Sequence, residues 1–218
     1  MKNVRRLLSP AFFLLAVLIG CSSNPPSQST ANKPAQTKPA FQPTYLTGRE
    51  ALQNMYIAAR SWAPDAKPYS LQSIATKDDN GQDGKSGIWG AGFASASRKA
   101  IKVFSWSGIK SEDAPEPGIS SRAEDTYNPA NTSTAVFDMA FLKVDSGGPE
   151  ATTAIAVAEK HGGEALLKKD KGTNIYYQLT WNGRENKLFW RVAFGDQDHP
   201  KLAIDVDAST GTFIKTEK

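Results

Sequence analysis

Asn174-Ile175-Tyr176-Tyr177-Gln178-Leu179-Thr180-Trp181-Asn182-Gly183, followed after three residues by Lys187-Leu188-Phe189-Trp190-Arg191-Val192-Ala193-Phe194, decides the fold. Two runs rich in aromatic and β-branched residues flank an Asn-Gly step, the strongest short-range signal for a hairpin. A two-residue loop there predicts Ile175 opposite Trp190 and Tyr177 opposite Leu188. Ile175, Tyr177, Trp181, Leu188, Trp190, Val192 and Phe194 then share one face, as core beneath a helix. Tyr176, Phe189 and Arg191 share the other. A slip of one residue would scramble both faces, so pattern and register support each other.

Downstream, Leu202, Ile204 and Val206 alternate as a third strand, and Asp207-Ala208-Ser209-Thr210-Gly211 turns into a short last strand through Phe213. Upstream, Pro149 suits the first position of a helix and Glu150 its positive end. Ala151, Ala154, Ile155 and Ala158 give that helix a narrow face, and Gly162-Gly163 predicts its stop.

The first half repeats this order. Thr47-Gly48-Arg49-Glu50 reads as a capping box, Leu52, Met55, Tyr56, Ala59 and Trp62 recur at helical spacing, and Pro64 ends the run. A helix over 48–62 follows, then strands near 68–76, 86–95 and 98–106, the middle one weakened by Gly90 and Gly92. Residues 107–135 read as a long connection. The fold class is therefore α+β: two helix-plus-antiparallel-sheet modules in tandem, 46–107 and 136–218, joined by 108–135. An uncovered sheet face bearing Tyr176, Phe189 and Arg191 is either a binding surface or the place where the halves pack. We expect the halves to bury these faces against each other.

The second half resembles the PepSY domain, a small helix-plus-antiparallel-sheet module of bacterial envelope proteins. The likeness rests on the Ala-rich stretch Glu150–Lys160, the hairpin, and the ending Leu202-Ala203-Ile204-Asp205-Val206-Asp207-Ala208-Ser209-Thr210-Gly211-Thr212. It covers about residues 137–216. The resemblance implies a module that binds or regulates another envelope protein or a peptidase, and it implies no particular activity.

Residues 1–21 carry a second resemblance. Lys2, Arg5 and Arg6 precede an apolar run from Ala11 to Ile19, too short for the roughly 20 residues of a membrane span, and Leu18-Ile19-Gly20-Cys21 follows. That junction resembles the lipobox of bacterial lipoproteins. The family pattern implies a signal peptide over 1–20 and acyl chains on the Cys21 sulfur, which can then serve neither as nucleophile nor as metal ligand. Several chains hold a protein to a membrane where one would be marginal. Ser22 rather than Asp implies the outer membrane, facing the periplasm. The Pro-rich stretch 22–43 has one large apolar side chain, Phe41, and so 21–45 reads as a lipidated, disordered tether.

Composition narrows the function. The chain of 218 residues has a net charge of +4, but without Lys2, Arg5 and Arg6 there remain 23 basic residues against 22 acidic. A body so nearly neutral lacks the basic footprint of a nucleic-acid binder. One cysteine excludes an internal disulfide framework.

Four further patterns bear on chemistry. Val144-Asp145-Ser146-Gly147-Gly148-Pro149 resembles the nucleophile stretch of chymotrypsin-like proteases, yet both histidines, His161 and His199, follow Ser146, against that fold's order. The 78–84 loop resembles a calcium loop, but counted from Asp79 its third position is Gly81 and its twelfth Gly90, which lack the oxygens required. A solvated hairpin loop fits better. Asp205 and Asp207 share a strand face; Asp207 suits a turn and Asp205 a partner such as Arg191 or Lys201. Neither histidine has a partner at metal-ligand spacing. We thus expect no catalytic residues, metal or cofactor. The expected protein is a non-enzymatic, lipid-anchored envelope component whose partners are the membrane, through Cys21, and another envelope protein. A hydrolase with a divergent site and a passive spacer are the alternatives.

Overall fold

A computed structural model describes residues 41–76, 79–112, 114, 116–145 and 153–217. Cys21, the signal peptide, most of the tether, and the helix start expected at Pro149 lie outside the described residues, as do Ser146 and Ala151.

Chain order begins with β1 (Leu46–Thr47) and α1 (Gly48–Trp62). The capping box forms as expected: the Thr47 side chain accepts from the Glu50 backbone N–H and Glu50 reaches back to Thr47 N. There follow β2 (Lys67–Ser73), β3 (Lys85–Ser86), β4 (Ile88–Ser95), β5 (Ala100–Ser107), β6 (Gly118–Ser121) and β7 (Asp125–Thr126). The 107–135 connection therefore is not bare, since β6 and β7 both pair with β5. The second half supplies α2 (Ala154–Ala158), α3 (Glu164–Lys169), β8 (Ile175–Asn182), β9 (Lys187–Gly195), β10 (Pro200–Asp207) and β11 (Phe213–Glu217).

The main sheet is antiparallel and nine-stranded, ordered β11-β10-β9-β8-β2-β4-β5-β6, with β7 beside β6 on β5. Each half is a helix followed by a meander that starts at the sheet's middle and works outward. The two first strands, β2 and β8, pair antiparallel through Ser70–Thr180, Leu71–Leu179 and Gln72–Gln178. The halves thus join edge to edge. They do not stack face to face as expected, because hydrogen-bonding β2 to β8 satisfies two strand edges that face packing would leave open. All of Phe41–Lys218 forms one compact unit.

Both helical segments lie over one face and share a single core. Leu52, Met55 and Ala59 of α1 meet Leu71, Trp89, Phe93, Leu179 and Trp190, and Ala154, Ile155 and Ala158 of α2 continue the same cluster. Trp89 and Trp190, one from each half, meet edge-on at 6.4 Å, a favoured aromatic geometry.

Three local expectations change. The hairpin loop spans four residues, so Tyr177 faces Val192 and Trp181 faces Leu188. Asn182 accepts from the N–H of Arg184 and Glu185, and Asn186 takes the left-handed conformation that closes the turn. The displacement from the expected pairs is four residues, an even number, so every side chain keeps its predicted face. Gly162-Gly163 does not stop the second helix: the chain kinks at His161 and Gly162, whose φ is 120°, and continues as α3. Gly163 is there for close approach, since a Cβ would lie 2.3 Å from Phe194. Finally, β4 is buried along its whole length despite Gly90 and Gly92. The Tyr69 ring lies where a Gly92 side chain would be, so the missing side chain makes room for packing on the helix-free face.

The central pair sets one expectation. Leu179 has no exposed surface, and Leu179→Ala should cost about 3 kcal/mol. Thermal unfolding followed by far-UV and Trp signals should stay a single transition, shifted down; two separate transitions would contradict a shared core.

Candidate functional site

The helix-free face of the sheet is where the sequence placed Tyr176, Phe189 and Arg191, and the structure puts all three there, half-buried. Alternation along β2, β5 and β8 adds Ser70, Gln72, Ser105, Gln178 and Thr180 to the same face, with Gln72 opposite Gln178 and Ser70 opposite Thr180 across the seam. An antiparallel sheet tolerates water on one face when its side chains are polar or short, which these are.

Loops give this face relief. The β9–β10 loop brings Gln197 over it, and the chain around Ala114–Gly118 borders it on the other side; between them a cavity of about 550 Å³ is floored by Gln72, Ser105 and Ile88. A smaller one, about 150 Å³, lies among Tyr176, Gln178, Arg191 and Gln197. Near the hairpin tip, Thr132 and Ala135 of the 127–137 strap face Thr180, Trp181, Arg184 and Phe189 around about 630 Å³. Trp181, expected in the core, is half-buried at this margin, its ring 5.3 Å from that of Phe141.

Arg191 is held in an ion-pair network. Its Nε and Nη2 donate to the two carboxylate oxygens of Asp205 at 2.9 and 3.1 Å, a bidentate pair, and Nη2 reaches Glu217 at 2.7 Å. Lys215 stands 3.6 Å from Asp205 and pairs with Glu217. Asp205 is 2% exposed, so this network is what makes its burial tolerable. The Asp205 carboxylate holds the Arg191 guanidinium above its usual range, and Lys215 pulls Glu217 below its own. Two acids and two bases cancel, which leaves this end of the face polar without net charge. Of the two partners expected for Asp205, Arg191 is the one used; Lys201 binds Asp170 instead. Asp207 accepts from Ser209 and Thr210 N–H, the turn role expected of it.

The other chemistry-bearing residues are occupied structurally. Asp79 is buried and accepts from Gly81 and Gly87 N–H. The 79–84 loop is solvated on one side only: Asn80 and Asp83 are exposed, while Asn80 O accepts from Ile175 N–H, Gly81 O accepts from the Tyr177 hydroxyl, and the Gln82 side chain donates to Lys171 and Thr173 carbonyls. It clasps the second half because its backbone groups meet those that β8 leaves open at its start. His161 stacks on Phe213 at 3.8 Å, and His199 is exposed. Among the described residues, His, Cys, Asp and Glu form no group of three able to hold a metal. Asp145, left-handed at φ 60°, is pushed up to about 6 by burial and accepts from Ala154 N–H at 3.2 Å.

No family model matches the chain, and no curated protein matches it. Among solved structures, that of a candidate lipoprotein from Clostridium difficile is similar, with TM-score 0.42 and 12% identity, covering 82% of this chain and 97% of that one.

Two outcomes follow from the charges. Asp205→Ala leaves Arg191 with only its exposed partner and should cost about 2 kcal/mol in urea unfolding. For Asp145, the folded pKa lies above the ordinary aspartate value of 3.8, so its stabilising share is present below that value and lost as pH rises through about 6. Asp145→Asn should therefore gain up to ~2 kcal/mol over wild type near pH 8 and almost nothing near pH 4, read from melts at both.

Proposed function

We propose that this protein is a non-enzymatic, lipid-anchored component of the bacterial envelope that holds an extended segment of another envelope protein against the helix-free face of its sheet. The observation that carries this is the run of three cavities along one mixed polar and aromatic face, the middle one lined by Gln72, Ser105 and Ser107 and the others by Tyr176 and Arg191 and by Phe189 and Arg184, with loops at their borders. Such a face suits an extended segment that meets polar groups along its length and seats side chains in successive cavities. We read the second half as PepSY-like and the first as its repeat; the order of helix then antiparallel meander, present in both halves, supports that reading. The non-enzymatic reading is supported by how the acids are used: Asp79 and Asp207 bind loop N–H groups and Asp205 binds Arg191, so each is spent on the fold.

Attachment is carried by Cys21 in Leu18-Ile19-Gly20-Cys21, with the outer membrane and its periplasmic side as the proposed address. Among the described residues no helix is long and apolar enough to cross a membrane. Tether and body then divide the work: acyl chains fix the location and the sheet face engages the partner.

One experiment with two arms tests this. Cys21→Ser should move the protein from the membrane to the soluble envelope fraction, and unchanged sedimentation would refute the anchor. Pull-down from detergent-solubilised membranes should return a stoichiometric partner with wild type. The face variant Ser105→Arg/Gln178→Arg, at unchanged melting temperature, should lose it by at least about tenfold. Equal capture by both proteins refutes the face, and turnover of a substrate by wild type refutes the non-enzymatic reading.

A further inference from the structure

The chain contains two Asn-Gly steps in turns, Asn80-Gly81 and Asn182-Gly183, and the structure treats them oppositely. We infer that Asn182-Gly183, at the margin of the largest of the three cavities, is a site of self-modification to aspartyl and isoaspartyl residues, and that Asn80-Gly81 is protected from the same reaction.

The chemistry needs only water. The Gly backbone nitrogen loses its proton to solvent and attacks the Asn side-chain carbonyl carbon. The new C–N bond replaces the C–NH2 bond, and ammonia leaves. Water then opens the cyclic imide at either carbonyl, giving Asp or isoAsp without any oxidation or reduction. The requirements are a nitrogen free to lose its proton, a backbone free to swivel, and support for the negative charge that grows on the side-chain oxygen.

Asn182-Gly183 meets all three. Asn182 sits in the last rung of the β8–β9 ladder, opposite Lys187, where strands fray most readily. Gly183 is exposed, a Cβ there would meet nothing within 4 Å, and its N–H has no partner among the described residues. The Asn182 Oδ1 accepts N–H groups from Arg184 at 3.0 Å and Glu185 at 3.3 Å. Two donors on that oxygen are the arrangement that stabilises a developing oxyanion.

Asn80-Gly81 fails the first two. Gly81 N–H donates to Asp79 Oδ1 at 3.1 Å, so the attacking nitrogen keeps its proton beside a carboxylate. Asn80 O accepts from Ile175 N–H at 2.8 Å, and Gly81 O accepts from the Tyr177 hydroxyl at 2.5 Å. These bonds pin the peptide on both sides, and the Ile175 carbonyl lies 2.4 Å from where a Gly81 Cβ would be. Reaction there must wait for the clasp between the halves to open.

The change has consequences for the cavity near the hairpin. A carboxylate replaces an amide on a wall that also holds Arg184, Trp181 and Phe189, and the iso form adds a backbone carbon to the loop. Position 182 is thus neutral in the fresh protein and carries a negative charge beside the Arg184 cation in the aged one.

The test is incubation of the folded full chain in mildly alkaline buffer in oxygen-18 water, with peptide mapping over time and isoaspartate-specific methylation. Oxygen-18 should enter at residue 182 at least about tenfold faster than at residue 80. In denaturant the two sites should react at similar rates, which isolates the effect of the fold. Gly183→Ala, whose side chain crowds the nitrogen, should slow residue 182 while leaving melting temperature unchanged. Equal rates in the folded chain, faster reaction at residue 80, or an inert Asn182 in folded protein that reacts when denatured would each overturn the inference.

Discussion

Three rungs of backbone hydrogen bonding between β2 and β8 hold the two halves in one sheet, and most else in the molecule follows from them. Leu71–Leu179 lies on the helix side of that seam and Gln72–Gln178 on the other. One pair therefore builds the core while its neighbour builds the open face. Because antiparallel pairing of equivalent strands relates the halves by an approximate two-fold axis through the sheet, both helices fall on the same side and both polar faces on the other. A stacked arrangement would have buried Tyr176 and Phe189 between two layers and left no groove.

The seam is short, and the structure reinforces it with side chains. Beyond Gln72–Gln178, the Ser73 hydroxyl accepts from Tyr177 N–H, so a side chain takes over where the backbone ladder stops. Further on, the 79–84 loop hands its carbonyls to Ile175 and Tyr177. On the core side, Trp89 bridges to both Trp190 and Tyr177. Buried hydrogen bonds of this kind contribute about 1 kcal/mol each, but leaving their donors bare would cost more, which makes the interface specific as well as stable. The same loop that could pass for a cation site in sequence is thereby spent on joining the halves.

At the far end of the sheet the constraint is electrostatic. β9, β10 and β11 bring Arg191, Asp205, Lys215 and Glu217 side by side, and only alternating signs make Asp205 tolerable at that depth. This network fixes the Arg191 side chain, so the residue contributes shape and polarity to the open face more than free charge. Near the hairpin the face instead presents Phe189, and the cavity there reaches the margin of Trp181, which gives the proposed partner an apolar foothold beside polar ground.

The sequence alone determined what depends on neighbours along the chain. The Thr47–Glu50 capping box marks the start of α1, Pro64 lies just past its end, and the alternation in 174–194 and 202–206 assigns faces correctly. That assignment survived a four-residue error in the hairpin because strand faces depend only on parity. Tertiary structure alone decided what depends on contacts a hundred residues apart. Nothing in Lys67–Ser73 announces β8 as its partner, since ladder bonds are made by backbone groups that every residue carries alike. Nor could Gly163 be told from a helix stop until Phe194 was seen pressed against it. The docking of the 79–84 loop was equally hidden, because a turn rich in Asp, Asn and Gly looks the same whether it meets water or another part of the chain.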